Sequence, residues 1–119
     1  MTFGEHLGFD TRRIDGGAEV RLDITERTLN SLGVAHGSVI LSLVDHAIGV
    51  AVAFALGRGR QAVTAELKVN FLAPATGGTL VARGRVLREG KRLIVGEAEV
   101  VDQTGRMIAK GLGTWAVVD

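Results

Sequence analysis

Gly37-Ser38-Val39-Ile40-Leu41-Ser42-Leu43-Val44-Asp45-His46-Ala47-Ile48-Gly49-Val50-Ala51-Val52-Ala53-Phe54-Ala55-Leu56 is the stretch on which the fold turns. Apolar residues occupy nearly every helical face, so a helix here must be covered on most sides. Its Val and Ile content argues weakly for a strand, but 20 residues is long for a strand and ordinary for a buried helix. It is also about long enough to span a bilayer. Asp45 and His46 interrupt its first half, and an ionised Asp there would cost about 2.5–3.5 kcal/mol on insertion. The flanks read as soluble strands, which leaves a buried helix. Gly57-Arg58-Gly59-Arg60 stops it.

Working outward, Ala18, Val20, Leu22 and Ile24 alternate with Glu19, Arg21 and Asp23, a half-buried strand of period two. Asp10 to Gly17 is polar and turn-rich, and residues 3–8 form a short helix. Thr25 to His36 has no period and reads as a loop. Beyond the long helix, Val63, Ala65, Leu67, Val69 and Phe71 alternate with Thr64, Glu66, Lys68 and Asn70, so the two sets are expected on opposite faces. Pro74 ends that strand and Gly77-Gly78 turn the chain. Thr79 to Arg88 and Arg92 to Val101 follow as strands joined by the hairpin signal Glu89-Gly90, and Arg106 to Val117 is the last. Short connections imply antiparallel neighbours, and a sheet curled around the one helix is the economical way to bury both.

The chain has 119 residues, one domain's worth, with 46% hydrophobic and 23% charged residues. Aromatics are 4% and glycines number 17, so the core is aliphatic and would gain from surface buried against a second subunit. A net charge of +1 with no basic run excludes a nucleic-acid surface. With no Cys, the chain has neither a thiolate nucleophile nor a cysteine-held zinc, and no metal or cofactor is implied. Met1-Thr2-Phe3-Gly4-Glu5-His6 lacks the layout of a signal peptide, so a cytoplasmic protein is expected, without a membrane partner.

The informative constellation is Asn30-Ser31-Leu32-Gly33-Val34-Ala35-His36-Gly37-Ser38, followed by Asp45 within the helix. The first N–H groups of a helix lack internal partners and carry the positive end of its dipole. Gly37 there either caps the helix together with His36 or offers an N–H to a developing oxyanion. Asp45, on a helix this apolar, must find partners or a raised pKa, and it is either a structural carboxylate or a catalytic one. His46 points to another face and reads as a satisfied core or interface histidine.

Asn30, His36-Gly37 and Asp45 at this spacing resemble the helix-entry motif of the hotdog-fold thioesterases. The nearest group is the phenylacetate-pathway enzymes and their relatives that act on hydroxybenzoyl-CoA. Val69-Asn70-Phe71-Leu72-Ala73-Pro74 is similar to that family's second strand and Gly90-Lys91-Arg92 to its following hairpin, so the resemblance spans residues 18–117. It implies an α+β hotdog fold, an antiparallel sheet wrapped around one long helix, acting on acyl-CoA as a homodimer or a homotetramer. It also implies roles: the Gly37 N–H polarises the thioester carbonyl and Asp45 is nucleophile or general base. Asn30 and His36 orient the thioester, and Thr64 supplies a hydroxyl that steadies the attacking water. Ser38 stands where many relatives have a second glycine, and Gly49 where some carry a hydroxyl.

Gly37 and Asp45 are eight positions apart, about 12 Å along a helix axis. One chain therefore cannot close the site, whereas two antiparallel helices across a two-fold axis could. Arg58, Arg60, Arg88, Lys91 and Arg92 are either solvated surface or the cations that meet the phosphates of CoA. Two other functions compete. A hotdog hydratase or dehydratase would have a Pro-rich entry motif, but the single Pro is Pro74. A non-catalytic acyl-CoA-binding regulator usually carries a DNA-binding domain, for which the sequence has no room.

Overall fold

In the computed structural model, which describes residues 1–118, the helix stands where its sequence puts it: α2 runs Gly37–Leu56. A short helix α1 (Phe3–Leu7) precedes it, with strands β1 (Asp10–Ile14) and β2 (Gly17–Asp23) and a 3-10 turn (Glu26–Thr28). Strands β3 (Gln61–Phe71), β4 (Thr79–Glu89), β5 (Leu93–Val101) and β6 (Met107–Val118) follow. All six strands form one antiparallel sheet in the order β1-β2-β4-β5-β6-β3, an α+β hotdog arrangement with the sheet bent around α2.

The inner face of the sheet carries Val20, Leu22, Leu80, Ile94, Val100 and Ile108, all essentially buried against Leu43, Val44, Ala47 and Ile48 of α2. The abundant glycines have a packing purpose at this contact. A Cβ on Gly84 would collide with the backbone of Ala47 and Ile48, and one on Gly96 with the Ile48 side chain. Glycine lets the helix axis lie close against the strands, and that close approach replaces the side-chain volume the aliphatic core lacks.

Two expectations need correction. Asp10 to Gly17 is not only a turn: Asp10–Ile14 pairs residue by residue with Gly17–Arg21 as an edge strand, turned at Gly16 with φ 78°. Its residues are mostly exposed, so it is held by its backbone ladder and carries no apolar alternation to read. In β3 the alternation breaks. Thr64 pairs with Trp115 and Leu67 with Gly113, so β3 spends one residue more than β6 over the same step. Ala65 is the extra residue of a β-bulge. Thr64 therefore shares the helix-facing side with Leu67 and Val69, and Val63 turns out, 54% exposed.

The sheet covers α2 on one side only. Val39, Ile40, Leu43, Val44, Ala47, Ile48, Ala51 and Val52 are buried. The stripe Ser38, Leu41, Ser42, Asp45 and Gly49 is half-buried or exposed, following i, i+3, i+4 spacing along the opposite side. Although α2 is long and apolar enough to cross a membrane, its buried face packs on this sheet.

Candidate active site

The entry to α2 is built by a tight loop. Asn30 Oδ1 accepts from the N–H groups of Leu32 (2.9 Å) and Val34 (3.3 Å), and Gly33 takes φ 80° to close the turn. The loop is pinned by Ala35 N–H to Ala75 O and His36 N–H to Thr28 O, both 2.7 Å. Asn30 thus shapes the segment that delivers His36 and Gly37, which leaves its Nδ2 as the only part able to orient a thioester.

His36 is the N-cap, with φ −61° and ψ 137°. Its Nδ1 accepts from Ser38 N–H at 3.1 Å and lies 2.7 Å from Ser38 Oγ. Its carbonyl accepts from Val39 and Ile40 N–H at 2.9 and 3.2 Å. The second, third and fourth amides of the helix are accordingly satisfied. The first, Gly37 N–H, has no acceptor among the described residues. An unpartnered amide at the positive end of a helix of 20 residues is a preformed donor for a polarised carbonyl. A Cβ on Gly37 would meet only the ring of exposed Phe71, at 3.8 Å, so the glycine is not demanded by packing.

Asp45 lies two turns on, half-buried in the uncovered stripe. Thr64 Oγ1 donates to its Oδ1 at 2.7 Å, a contact made possible by the bulge at Ala65. Oδ2 has no partner among the described residues. Behind this pair stands Trp115, the cross-strand neighbour of Thr64, and a Cβ on Gly49 would lie 3.5 Å from its indole Nε1. Gly49 keeps that space open one turn beyond the carboxylate. Trp115 drew no notice in the sequence, although it alternates with Gly111 and Gly113 along β6.

His46 turns towards the N-terminal segment. Its Nε2 lies 3.1 Å from Thr11 Oγ1 and its ring packs on Phe9 at 4.8 Å. Burial holds its pKa below the usual histidine range, with the negative charge of Asp45 opposing in part. These are the contacts of a satisfied histidine.

The five cations proposed for CoA are all exposed, and none has a carboxylate within ion-pair reach among the described residues. Three of them meet. Arg60 Nη2 donates to Lys91 O at 2.9 Å, tying the β4–β5 hairpin to the residue before β3, and Arg92 O accepts from Val117 N–H at 2.8 Å, tying it to the end of β6. Arg58 is in the preceding turn and Arg88 on β4, and neither side chain makes a hydrogen bond or ion pair to this group among the described residues. By contrast, Arg21, Arg83, Arg85 and Lys110 on the outer face of the sheet are paired to Glu19, Glu97 and Glu99.

In one chain, therefore, the residues fall into two groups along α2: Asn30, His36 and Gly37 at its entry, and Asp45 with Thr64 about 12 Å away. The model of the thioesterase superfamily matches residues 32–109, which contain both His36-Gly37 and Asp45. Acyl-coenzyme A thioesterase PaaI of Escherichia coli is 33% identical over 105 residues, covering 87% of this chain and 73% of that protein. Among solved structures, a conserved protein of Pseudomonas aeruginosa superposes with a TM-score of 0.93 at 39% identity, covering 99% of this chain and 94% of the other. A Bacillus halodurans protein crystallised with CoA superposes with a TM-score of 0.81 at 35% identity, over 83% and 70% of the two chains.

Proposed function

Because the chain belongs to the thioesterase superfamily, we propose that it hydrolyses an acyl-CoA thioester to the free acid and CoA. The observation that carries this reading is Asp45. It is the only carboxylate on a largely apolar helix, it is oriented by a single hydroxyl, and it lies in a stripe the fold leaves uncovered. The bond from Thr64 engages one carboxylate oxygen and leaves the other open on that uncovered stripe, the arrangement a reacting carboxylate needs.

The Gly37 N–H polarises the thioester carbonyl and stabilises the oxyanion as the tetrahedral centre forms, a contribution of about 10²–10³ in rate for one donor. Asp45 either takes a proton from the attacking water or attacks the carbonyl itself through Oδ2, the oxygen that Thr64 leaves unengaged. The thiolate of CoA leaves when the tetrahedral centre collapses. With water as nucleophile this releases the acid directly; with Asp45 as nucleophile it leaves an acyl–Asp45 anhydride that a water then hydrolyses to the acid and the free carboxylate. Thr64 keeps its oxygen lone pairs available to a water while its proton holds Oδ1. Arg60, Lys91 and Arg92 meet the phosphates of CoA, with Arg58 and Arg88 at the margins.

The site is shared between two copies of the chain. The separation of Gly37 from Asp45 along one helix supports a site built from two chains. The uncovered stripe of α2 and the unpaired outer edge of β3 give a second copy a surface to meet. Packed antiparallel across a two-fold axis, each helix sets its Gly37 opposite the other's Asp45.

A screen of aryl-, short-chain and long-chain acyl-CoAs, following release of free CoA, tests the function. Wild-type protein should hydrolyse at least one class, and Asp45→Asn should lower kcat by orders of magnitude while circular dichroism stays unchanged. CoA thioesters that bind without hydrolysis would point instead to a non-catalytic acyl-CoA-binding protein. An Asp45→Asn variant keeping more than about a tenth of turnover would remove Asp45 from the catalytic role.

A further inference from the structure

Ser38 occupies the second position of α2 and is spent on His36 twice over. Its main-chain N–H lies 3.1 Å from His36 Nδ1 and its Oγ lies 2.7 Å from the same nitrogen. A backbone N–H can only donate, so Nδ1 must present its lone pair. In the neutral ring the proton then sits on Nε2, and the tautomer follows from bonding alone. His36 is exposed and its Nε2 has no partner among the described residues. On an imidazole whose Nδ1 faces back into the helix turn, Nε2 faces out.

We infer that Ser38 is a positioning residue: it fixes His36 as the Nε2–H tautomer and holds the ring so that this N–H is a second donor to the thioester, beside the Gly37 amide. The inference rests on the thioesterase reading for its effect on turnover, but not for the tautomer itself. The hydroxyl has a separate part from the amide. The amide alone sets the tautomer, whereas the hydroxyl, on the same atom, restrains rotation of the ring about its bond to Cβ. Ser42 does not compete for it, since Ser42 Oγ donates to the Ser38 carbonyl at 2.7 Å.

Protein labelled with ¹⁵N-histidine, at a pH where the rings are neutral, reports the tautomer of each histidine by long-range ¹H–¹⁵N correlation. Of the three histidines, His36 is assigned by the loss of its signals in His36→Gln. Its ring should show a protonated Nε2 and a bare Nδ1, and Ser38→Thr should keep both that signature and wild-type kcat. Ser38→Ala should broaden the ring signals and lower kcat about 3–10-fold with KM little changed, the size expected for one weakened neutral hydrogen bond. A wild-type His36 protonated on Nδ1 overturns the inference, and so does a Ser38→Ala variant with wild-type kcat and ring signals. Full hydrolysis by His36→Gln alongside a dead Asp45→Asn would also overturn it, while leaving the thioesterase reading intact.

Discussion

Thr64 Oγ1 donates to Asp45 Oδ1 across 2.7 Å, tying the outer strand of the sheet to the only carboxylate on the central helix. The bond exists because Ala65 is an extra residue in β3, which turns Thr64 onto the helix-facing side. It leaves Oδ2 of the carboxylate open.

Thr64→Ala should therefore misorient Asp45 without removing it, lowering kcat about 10–100-fold. Thr64→Ser retains the hydroxyl and should recover much of that loss. Steady-state kinetics on the best substrate of the acyl-CoA screen make the comparison. A Ser variant as poor as the Ala variant would mean that the methyl group, not the hydroxyl, is what matters.

Neutralising Arg60, Lys91 and Arg92 together should raise KM for CoA thioesters several-fold. Turnover of a truncated thioester lacking the nucleotide should stay at its wild-type value. Phosphate contacts far from the carbonyl supply binding that is equal in ground and transition states. Because Arg60 also bonds the Lys91 carbonyl, thermal unfolding should be followed in parallel. Equal losses on both substrates would point to a damaged hairpin.

Two carboxylates on the outer face of the sheet contribute to acid stability. Burial raises the Glu19 carboxyl, but hydrogen bonds and charge from Arg21 and Arg83 outweigh it and hold Glu19 below the usual range. Glu97 is held low chiefly by its hydrogen bond from Arg85, against its own desolvation, with Lys110 adding to the effect. A carboxyl depressed in the folded state contributes stability that is complete above its unfolded pKa, about 4.3, and is lost as pH falls through the folded value. Urea midpoints should thus be level near neutrality and drop below about pH 4. Glu19→Gln should lower the neutral plateau and flatten that drop. A variant with an unchanged acid limb would show that Glu19 does not carry the linkage.

Much of this was legible in the sequence because its cues are local. The run from Gly37 to Leu56 gave both ends of the helix, and the alternations after it gave four strands to within about two residues. β1 escaped because an edge strand with no buried face has no period to show. The bulge escaped because one extra residue shifts the phase of the alternation without leaving a mark: Val63 to Phe71 reads as one clean strand either way. For the site, Asp45 and Gly37 stood out by being out of character with the helix. The hydroxyl of Ser38 on His36 and the space between Gly49 and Trp115 did not, since both depend on where side chains meet in three dimensions.

The shared site is the central claim, and complementation between two dead variants tests it most directly. Gly37→Pro deletes the unpartnered amide and takes no hydrogen bond from the fold. Proline suits the first position of a helix, and His36 before it already has the extended conformation that proline demands, at ψ 137°. Asp45→Ala removes the other half. In an equal mixture with random exchange, half the dimers are mixed, and one of the two sites in each carries neither lesion. About a quarter of wild-type activity should therefore return. Mixed dimers that form, verified by native mass spectrometry, yet remain inactive would place Gly37 and Asp45 in the same chain's site and contradict the account.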